Sequence, residues 1–207
     1  VNCLYMRKNK DWVGDTNSVF KMLASSHHSN STRESYDYYA TDPKAAHLLL
    51  EVMPQLNNIW ECACGEKHLA KVFEDKGILA RSSDIINRCN NEVFDFLNIN
   101  NLEWAGDIVT NPPYRYAKEF IQKGLQIIPE GRYLCMFLKV TFLEGKGRKQ
   151  MFLNTPPKYV FVSSSRINCA MNGRFEGLRS TGGSAVAYAW FVWEKGYKGD
   201  TIIKWIN

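Results

Sequence analysis

At 207 residues, 45% hydrophobic and 23% charged, the chain has the composition of an ordinary globular protein, long enough for one domain to bury a core without disulfide or metal staples. Its longest apolar run, Ala185 to Trp193, is nine residues against roughly 20 for a membrane-spanning helix, and the cations Arg7, Lys8 and Lys10 have no apolar stretch behind them, so neither a span nor a secretory signal is expected. The 26 basic and 21 acidic residues give +5, which permits a polyanionic partner without demanding one.

Residues 1–38 are polar and rich in Ser and Asn, and we read them as an N-terminal arm preceding a single domain at 39–207. Asp42 followed by Pro43 predicts a helix start, and Ala45, Leu48, Leu49 and Val52 then recur with helical spacing. A strand is expected near Asn58–Cys62. Leu69, Val72 and Phe73 mark a helix ended by Gly77, and Ile78–Ala80 a second strand stopping before Asp84. Strand, helix and strand with short links make a parallel βαβ unit.

The alternation continues with a strand at Asp107–Thr110, broken by Asn111-Pro112-Pro113-Tyr114, where the prolines forbid further ladder pairing. A helix through Ala117, Phe120 and Ile121 follows, then a turn at Pro129–Gly131 and a strand at Tyr133–Leu138. After a basic helical stretch, Lys158–Val162 and Ala185–Trp193 are the last strands, the second apolar on both faces and therefore central. The sum is a three-layer α/β domain. Between those two strands runs a polar connection at 163–183 carrying Arg166, Arg174 and Arg179 against one acid, Glu176; a connection that long is usually functional or disordered, and we read this one as functional.

Open parallel sheets bind ligands beyond the carboxyl ends of their strands, and two motifs fall there. In ECACGEKHLA (61–70) an acid at a strand end precedes a glycine turn into a helix, with Asp84 nineteen residues past Gly65. The glycine admits ligand atoms close to the backbone, and an acid ending the next strand can accept from ribose hydroxyls. A dinucleotide fingerprint would need further glycines where Lys67 and Leu69 or Ala70 stand, so a nicotinamide cofactor is disfavoured. A cofactor with a ribose and a sulfonium cation but no phosphate, S-adenosylmethionine, suits the acids better. Taken alone, an ordinary strand-turn-helix accounts for this stretch equally well.

DIVTNPPY (107–114) is more specific. The prolines stiffen the backbone so that the Asn111 side-chain amide and the Pro112 carbonyl can point at one spot, with Tyr114 beside them as a stacking plate. Two acceptors holding the N–H bonds of an aromatic amine free its lone pair for attack on a sulfonium methyl, and the ring would grip a base flipped from its duplex.

At these residues the chain resembles class I S-adenosylmethionine-dependent methyltransferases acting on the N6 amino group of adenine. NPPY after a strand, ECACGEKHLA before it, YDYYATDPKAAHLL at 36–49 and STGGSAVAYAWFVWEKGY at 180–197 look like the compact adenine methyltransferases of phage and prophage. The resemblance implies a Rossmann-like sheet of seven mostly parallel strands with an antiparallel C-terminal hairpin. It also implies that Glu61, Ala63, Cys64 and Gly65 line the methionine and ribose side of S-adenosylmethionine, that Asp84 and Ile85 hold its ribose and adenine, and that Asp95 and Phe96 contact the adenine. Tyr39, Thr41 and Pro43 would close over the methionine end, and Asn111, Pro112, Pro113 and Tyr114 would form the catalytic loop. The family's first motif usually continues G-x-G, and here Lys67 takes the second glycine's place.

Other residues invite plainer readings. His27-His28 is a solvated pair in the arm, and the cysteines Cys3, Cys62, Cys64, Cys89, Cys135 and Cys169 contain no C-x-x-C, so no metal is expected and a reduced cytoplasmic setting is the simplest. Lys146, Arg148 and Lys149, with Arg166, Arg174 and Arg179, could track phosphates of double-stranded DNA beside the catalytic loop. The expected activity is therefore adenine-specific DNA methylation. RNA adenine, a protein glutamine amide, or an inactive DNA-binding module are the alternatives.

Overall fold

The computed structural model describes residues 39–98, 100–171 and 186–207, all within the unit Glu34–Asn207. The arm at 1–38, with His27-His28, and the arginines Arg174 and Arg179 lie outside the described residues.

In chain order the elements are β1 (Tyr39–Thr41), α1 (Lys44–Val52), β2 (Ile59–Glu61), α2 (His68–Asp75), β3 (Leu79–Asp84), β4 (Glu92–Val93), β5 (Ile108–Thr110), α3 (Ala117–Ile127), β6 (Tyr133–Lys139), α4 (Lys146–Asn154), β7 (Tyr159–Ser163), β8 (Cys169–Met171), β9 (Tyr188–Glu194) and β10 (Ile202–Ile206). Helix α1 starts as its sequence suggests, with an Asp42 carboxylate oxygen accepting from the Lys44 amide at 3.0 Å just where proline's missing N–H costs nothing. Helix α2 stops at Gly77, whose φ of +69° lets its amide turn back to the Glu74 carbonyl at 2.9 Å.

Among the described residues, eight strands form the main sheet in the order β10-β7-β9-β6-β5-β2-β3-β4. All neighbours pair in parallel except at β9, which runs against both β6 and β7. The antiparallel C-terminal pair is thus β7 with β9, and β10 adds an edge strand to the seven expected. Alternate residues of β9 serve opposite faces: Tyr188, Trp190 and Val192 join a core with α1 and α2, while Ala189, Phe191 and Trp193 join one with α3 and Met151 of α4. Alternation along a pleated strand buried on both sides requires this division, and it makes three layers. The Trp190 indole N–H donates to the Ala45 carbonyl at 2.8 Å, tying α1 to the sheet.

Two local expectations change. Strand β3 does not stop at Ala80 but runs on through the polar Arg81, Ser82 and Ser83 to Asp84. These polar side chains have partners. Arg81 lies over the rings of Trp60 and Phe94, at 4.1 and 4.3 Å, and binds the Glu92 carboxylate with two hydrogen bonds, while the Ser83 hydroxyl accepts from the Trp60 indole at 2.9 Å. The connection at 163–183 is also not irregular throughout, since β8 within it pairs antiparallel with β1 as a two-stranded ribbon apart from the main sheet. Backbone pairing supplies order there that neither three-residue segment could hold alone. Among the described residues no helix is long and apolar enough to cross a membrane, and no cluster of His, Cys, Asp and Glu could hold a metal ion.

Candidate active site

Because β2, β3, β5 and β6 run parallel, their carboxyl ends share one edge of the sheet, and there the chain places Glu61, Asp84, Asn111 and Lys139. The loop after β2 doubles back across the end of β3. The Cys64 amide donates to the Ser83 carbonyl at 3.0 Å, and the Gly65 amide donates to an Asp84 carboxylate oxygen at 2.8 Å. The other Asp84 oxygen accepts from the Ile86 amide at 3.0 Å. Gly65 has a φ of +51° and Lys67 one of +64°, so Lys67 adopts the left-handed conformation that a glycine would take at its position. Its ammonium reaches outward to the Asn90 carbonyl at 3.1 Å.

Glu61 is the chemically distinctive group here. Its side chain is 2% exposed, the Ala70 amide in the first turn of α2 favours its charged form, and among the described residues Oε2 is buried with no hydrogen-bond partner. Burial pushes its carboxyl well above the usual carboxylate range, and the nearby Asp84 charge pushes the same way. An orphaned carboxylate oxygen beside a second acid calls for a cationic donor. The methionine ammonium of S-adenosylmethionine is such a donor, and Asp84, with lone pairs to spare after its two amide bonds, could take ribose hydroxyls. The residues therefore fit that cofactor. Ile85, next to Asp84, is 55% exposed and offers an apolar plate for a purine.

Other predicted cofactor contacts are differently placed. Phe96 is 2% exposed, stacked on Phe120 at 5.0 Å and edge-on to Trp60 at 5.3 Å; its ring belongs to the core and offers no face to a ligand. Asp95 is exposed and accepts from the Leu97 amide at 3.0 Å, closing the short turn at 96–98. Ala63 and Pro43 are half-buried, Tyr39 lies on β1, and Cys64 is buried, its thiol pushed up to about 12, chiefly by burial. Cys64 is thus packing and not a redox group.

The Asn111–Tyr114 loop leaves the end of β5 beside this turn. The Asn111 side-chain N–H donates to the Thr41 hydroxyl at 2.8 Å. Tyr114 is half-buried, with its ring stacked on Tyr188 at 6.0 Å, its hydroxyl 3.5 Å from the Cys169 sulfur and the Lys139 ammonium 5.2 Å from its ring centre. Burial raises the Tyr114 phenol well above its ordinary value, so it stays protonated. Thr41 therefore meets the Asn111–Tyr114 loop itself, a contact the sequence did not suggest. Lys139, Cys169 and Tyr188 were also missed. Only Tyr188 carried a signal, as one position of the Ala185–Trp193 strand that is apolar on both faces. Asp107, which seemed to lead the motif, lies at the opposite end of β5, where its carboxylate accepts from the Asn57 and Tyr133 amides at 3.0 and 2.9 Å and joins three segments.

Of the predicted phosphate-binding cations, Lys146 and Lys149 are exposed on α4 and Arg166 is exposed before β8. Arg148 is instead folded back, donating to the carbonyls of Phe142 at 2.8 Å, Thr141 at 3.4 Å and Glu144 over the Phe142 ring. It caps the turn before α4.

No protein-family model and no curated protein matches the sequence. Solved structures do. A Listeria monocytogenes protein assigned to the class I S-adenosylmethionine-dependent methyltransferases aligns with a TM-score of 0.57 at 13% identity, over 91% of this chain and 70% of that one. A Pyrococcus horikoshii protein assigned as an RNA methyltransferase aligns at 0.53 and 11%, over 84% and 95%, and a Plasmodium falciparum dimethyladenosine transferase at 0.51 and 13%, over 76% and 63%. Sheet order, the turn after β2 and these likenesses agree on one architecture, the Rossmann-like fold of class I S-adenosylmethionine-dependent methyltransferases.

Proposed function

We propose that the chain transfers a methyl group from S-adenosylmethionine to the N6 amino group of an adenine flipped out of double-stranded DNA. The observation that carries this reading is the Asn111-Pro112-Pro113-Tyr114 loop at the carboxyl end of β5, beside the turn in which Gly65 binds Asp84 and a Glu61 oxygen has no partner among the described residues. When bound, the cofactor supplies an electrophilic methyl on a sulfonium. The chain's residues do the rest. Glu61 and Asp84 hold the cofactor's polar groups, and Ile85 covers its purine. The Asn111 carbonyl oxygen and the Pro112 carbonyl accept the two N–H bonds of the target amine, which localises its lone pair. The Tyr114 ring, backed by Tyr188, receives the extruded base by stacking. Lys146, Lys149 and Arg166, with Arg174 and Arg179 of the same chain, would contact phosphates.

A labelled-methyl assay on mixed-sequence duplex DNA tests this. Incorporation into N6-methyladenine, lost in Asn111→Ala while cofactor affinity is kept, is the expected result; no incorporation by the wild type, or full activity in Asn111→Ala, overturns it. The likeness in fold to a protein assigned as an RNA methyltransferase favours RNA adenine as the second reading. The same assay run on DNA, RNA and protein separates the substrates, a glutamine amide in protein included. Salt-sensitive DNA binding without cofactor binding would instead mark an inactive binding module.

A further inference from the structure

A primary amide is nearly symmetric in shape, and a half-turn about its last bond exchanges an acceptor for a donor. If Asn111 is to accept from an amine, something must hold its NH2 away from that amine. Pro112 and Pro113 stiffen the backbone but have no hold on this torsion.

The ribbon formed by β1 and β8 supplies one. Thr41 and Cys169 face each other in register across it. The Asn111 Nδ2 donates to Thr41 Oγ1 at 2.8 Å. A threonine hydroxyl could equally donate to the amide oxygen, which would reverse the amide, unless its own proton is engaged elsewhere. The Cys169 sulfur, opposite Thr41 in the ribbon, is 3.5 Å from the Tyr114 hydroxyl and within hydrogen-bonding reach of Thr41 and Tyr188. A Thr41 proton directed at that sulfur would leave the Thr41 oxygen as an acceptor. Thr41 is 3% and Cys169 7% exposed, so water competes poorly for either group. One ribbon thus touches the loop at both its functional ends, Asn111 through Thr41 and Tyr114 through Cys169.

We propose that Thr41 is a positioning residue for methyl transfer: its hydroxyl, oriented by Cys169, takes the Asn111 NH2 and so turns the Asn111 carbonyl oxygen toward the substrate amine. This rests on the methyltransferase reading above and gives Thr41 a task separate from cofactor contact.

The test compares Thr41→Val, which keeps the shape but removes the acceptor, with Thr41→Ser, which keeps the acceptor. Thr41→Val is expected to lower kcat on the methyl-accepting nucleic acid by about 10- to 100-fold, the scale of a misplaced reacting group, with cofactor affinity within about twofold and Thr41→Ser close to wild type. An unchanged kcat in Thr41→Val, a loss of cofactor affinity that accounts for the whole defect, or a Thr41→Ser variant as slow as Thr41→Val overturns the proposal. A second readout needs no turnover. The Asn111 side-chain amide protons, identified in 15N–1H spectra by their loss in Asn111→Asp, should show one shifted, exchange-protected proton in wild type and Thr41→Ser that reverts in Thr41→Val. The absence of such a proton in wild type also overturns it. If wild type methylates nothing, the function reading fails while this spectrum still decides the role of Thr41. Should Thr41→Val not fold, Cys169→Ala is read in the same way, and it should weaken the same protection because it releases the Thr41 proton.

Discussion

The carboxyl of Glu61 sits in the protein with an oxygen that no described residue satisfies, an arrangement that costs stability until a ligand supplies the missing donor. Glu61→Gln should therefore raise the stability of the ligand-free protein at pH 7 by about 1–3 kcal/mol while weakening S-adenosylmethionine binding, read by denaturant melts and calorimetry on the same samples. The pH dependence has a definite sign. Since the folded carboxyl is held above the ordinary glutamate value of 4.5, its contribution is fully present below that value and is lost as pH rises through the higher folded pKa. Wild type should lose stability relative to Glu61→Gln as pH rises from 4.5, and a constant difference would remove Glu61 from the account. Lys67 raises the opposite question, whether a departure from the glycine pattern is a defect. It already holds the required φ of +64°, so Lys67→Gly relieves a local backbone cost while loosening the unfolded chain by a similar amount. Cofactor affinity should stay within about threefold, since neither effect exceeds ~1 kcal/mol; a tenfold gain would show that Lys67 does impair the site. At this scale the sequence named Glu61, Gly65, Asp84 and Asn111 because backbone chemistry confines such residues to strand ends and turns. It could not show Thr41 against Asn111, seventy positions apart, because that contact depends on how a three-residue match across β1 and β8 lands on the loop.

Elements behave differently according to whether their faces are apolar or polar. Helices α1 and α2 were legible from the spacing of Ala45, Leu48, Leu49 and of Leu69, Val72, Phe73, all buried, because a face that must leave water writes its period into the sequence. The extension of β3 to Asp84 was not legible, because Arg81 and Ser83 are satisfied by Trp60, Phe94 and Glu92 from other elements, and such pairings have no local signature. The ribbon of β1 and β8 was hidden for the same reason. The Trp190 indole fills the core beneath α1 and donates to Ala45, so Trp190→Phe removes a buried bond and part of a ring. A loss of about 2 kcal/mol is expected, seen as a lower denaturant midpoint at unchanged slope. A change in slope would mean that α1 opens separately from the sheet.

For the molecule as a whole, a parallel sheet fixes the edge at which every carboxyl strand end emerges, so the placement of Glu61, Asp84 and Asn111 on one side followed from topology once the strands were recognised. Charge obeys no such rule, and Arg148 shows it: within a run of three cations it alone is committed, to the carbonyls of the turn before α4, while Lys146 and Lys149 are exposed. Composition could not separate them, since all three carry the same charge on one helical turn. Binding to nucleic acid can. A cation that neutralises a phosphate releases a counterion, so its removal flattens the dependence of log K on log salt concentration by about one unit per contact on duplex DNA, whereas a structural cation leaves that slope alone. Lys146→Ala with Lys149→Ala should lower the magnitude of the slope by about 1–2 and weaken binding without regard to sequence. Arg148→Ala should keep the slope but lower stability by about 1–2 kcal/mol through loss of its charge-assisted bonds to these carbonyls. Equal slopes in wild type and the double variant would move the nucleic-acid path off α4, leaving Arg166 and the remainder of the 163–183 segment to carry it.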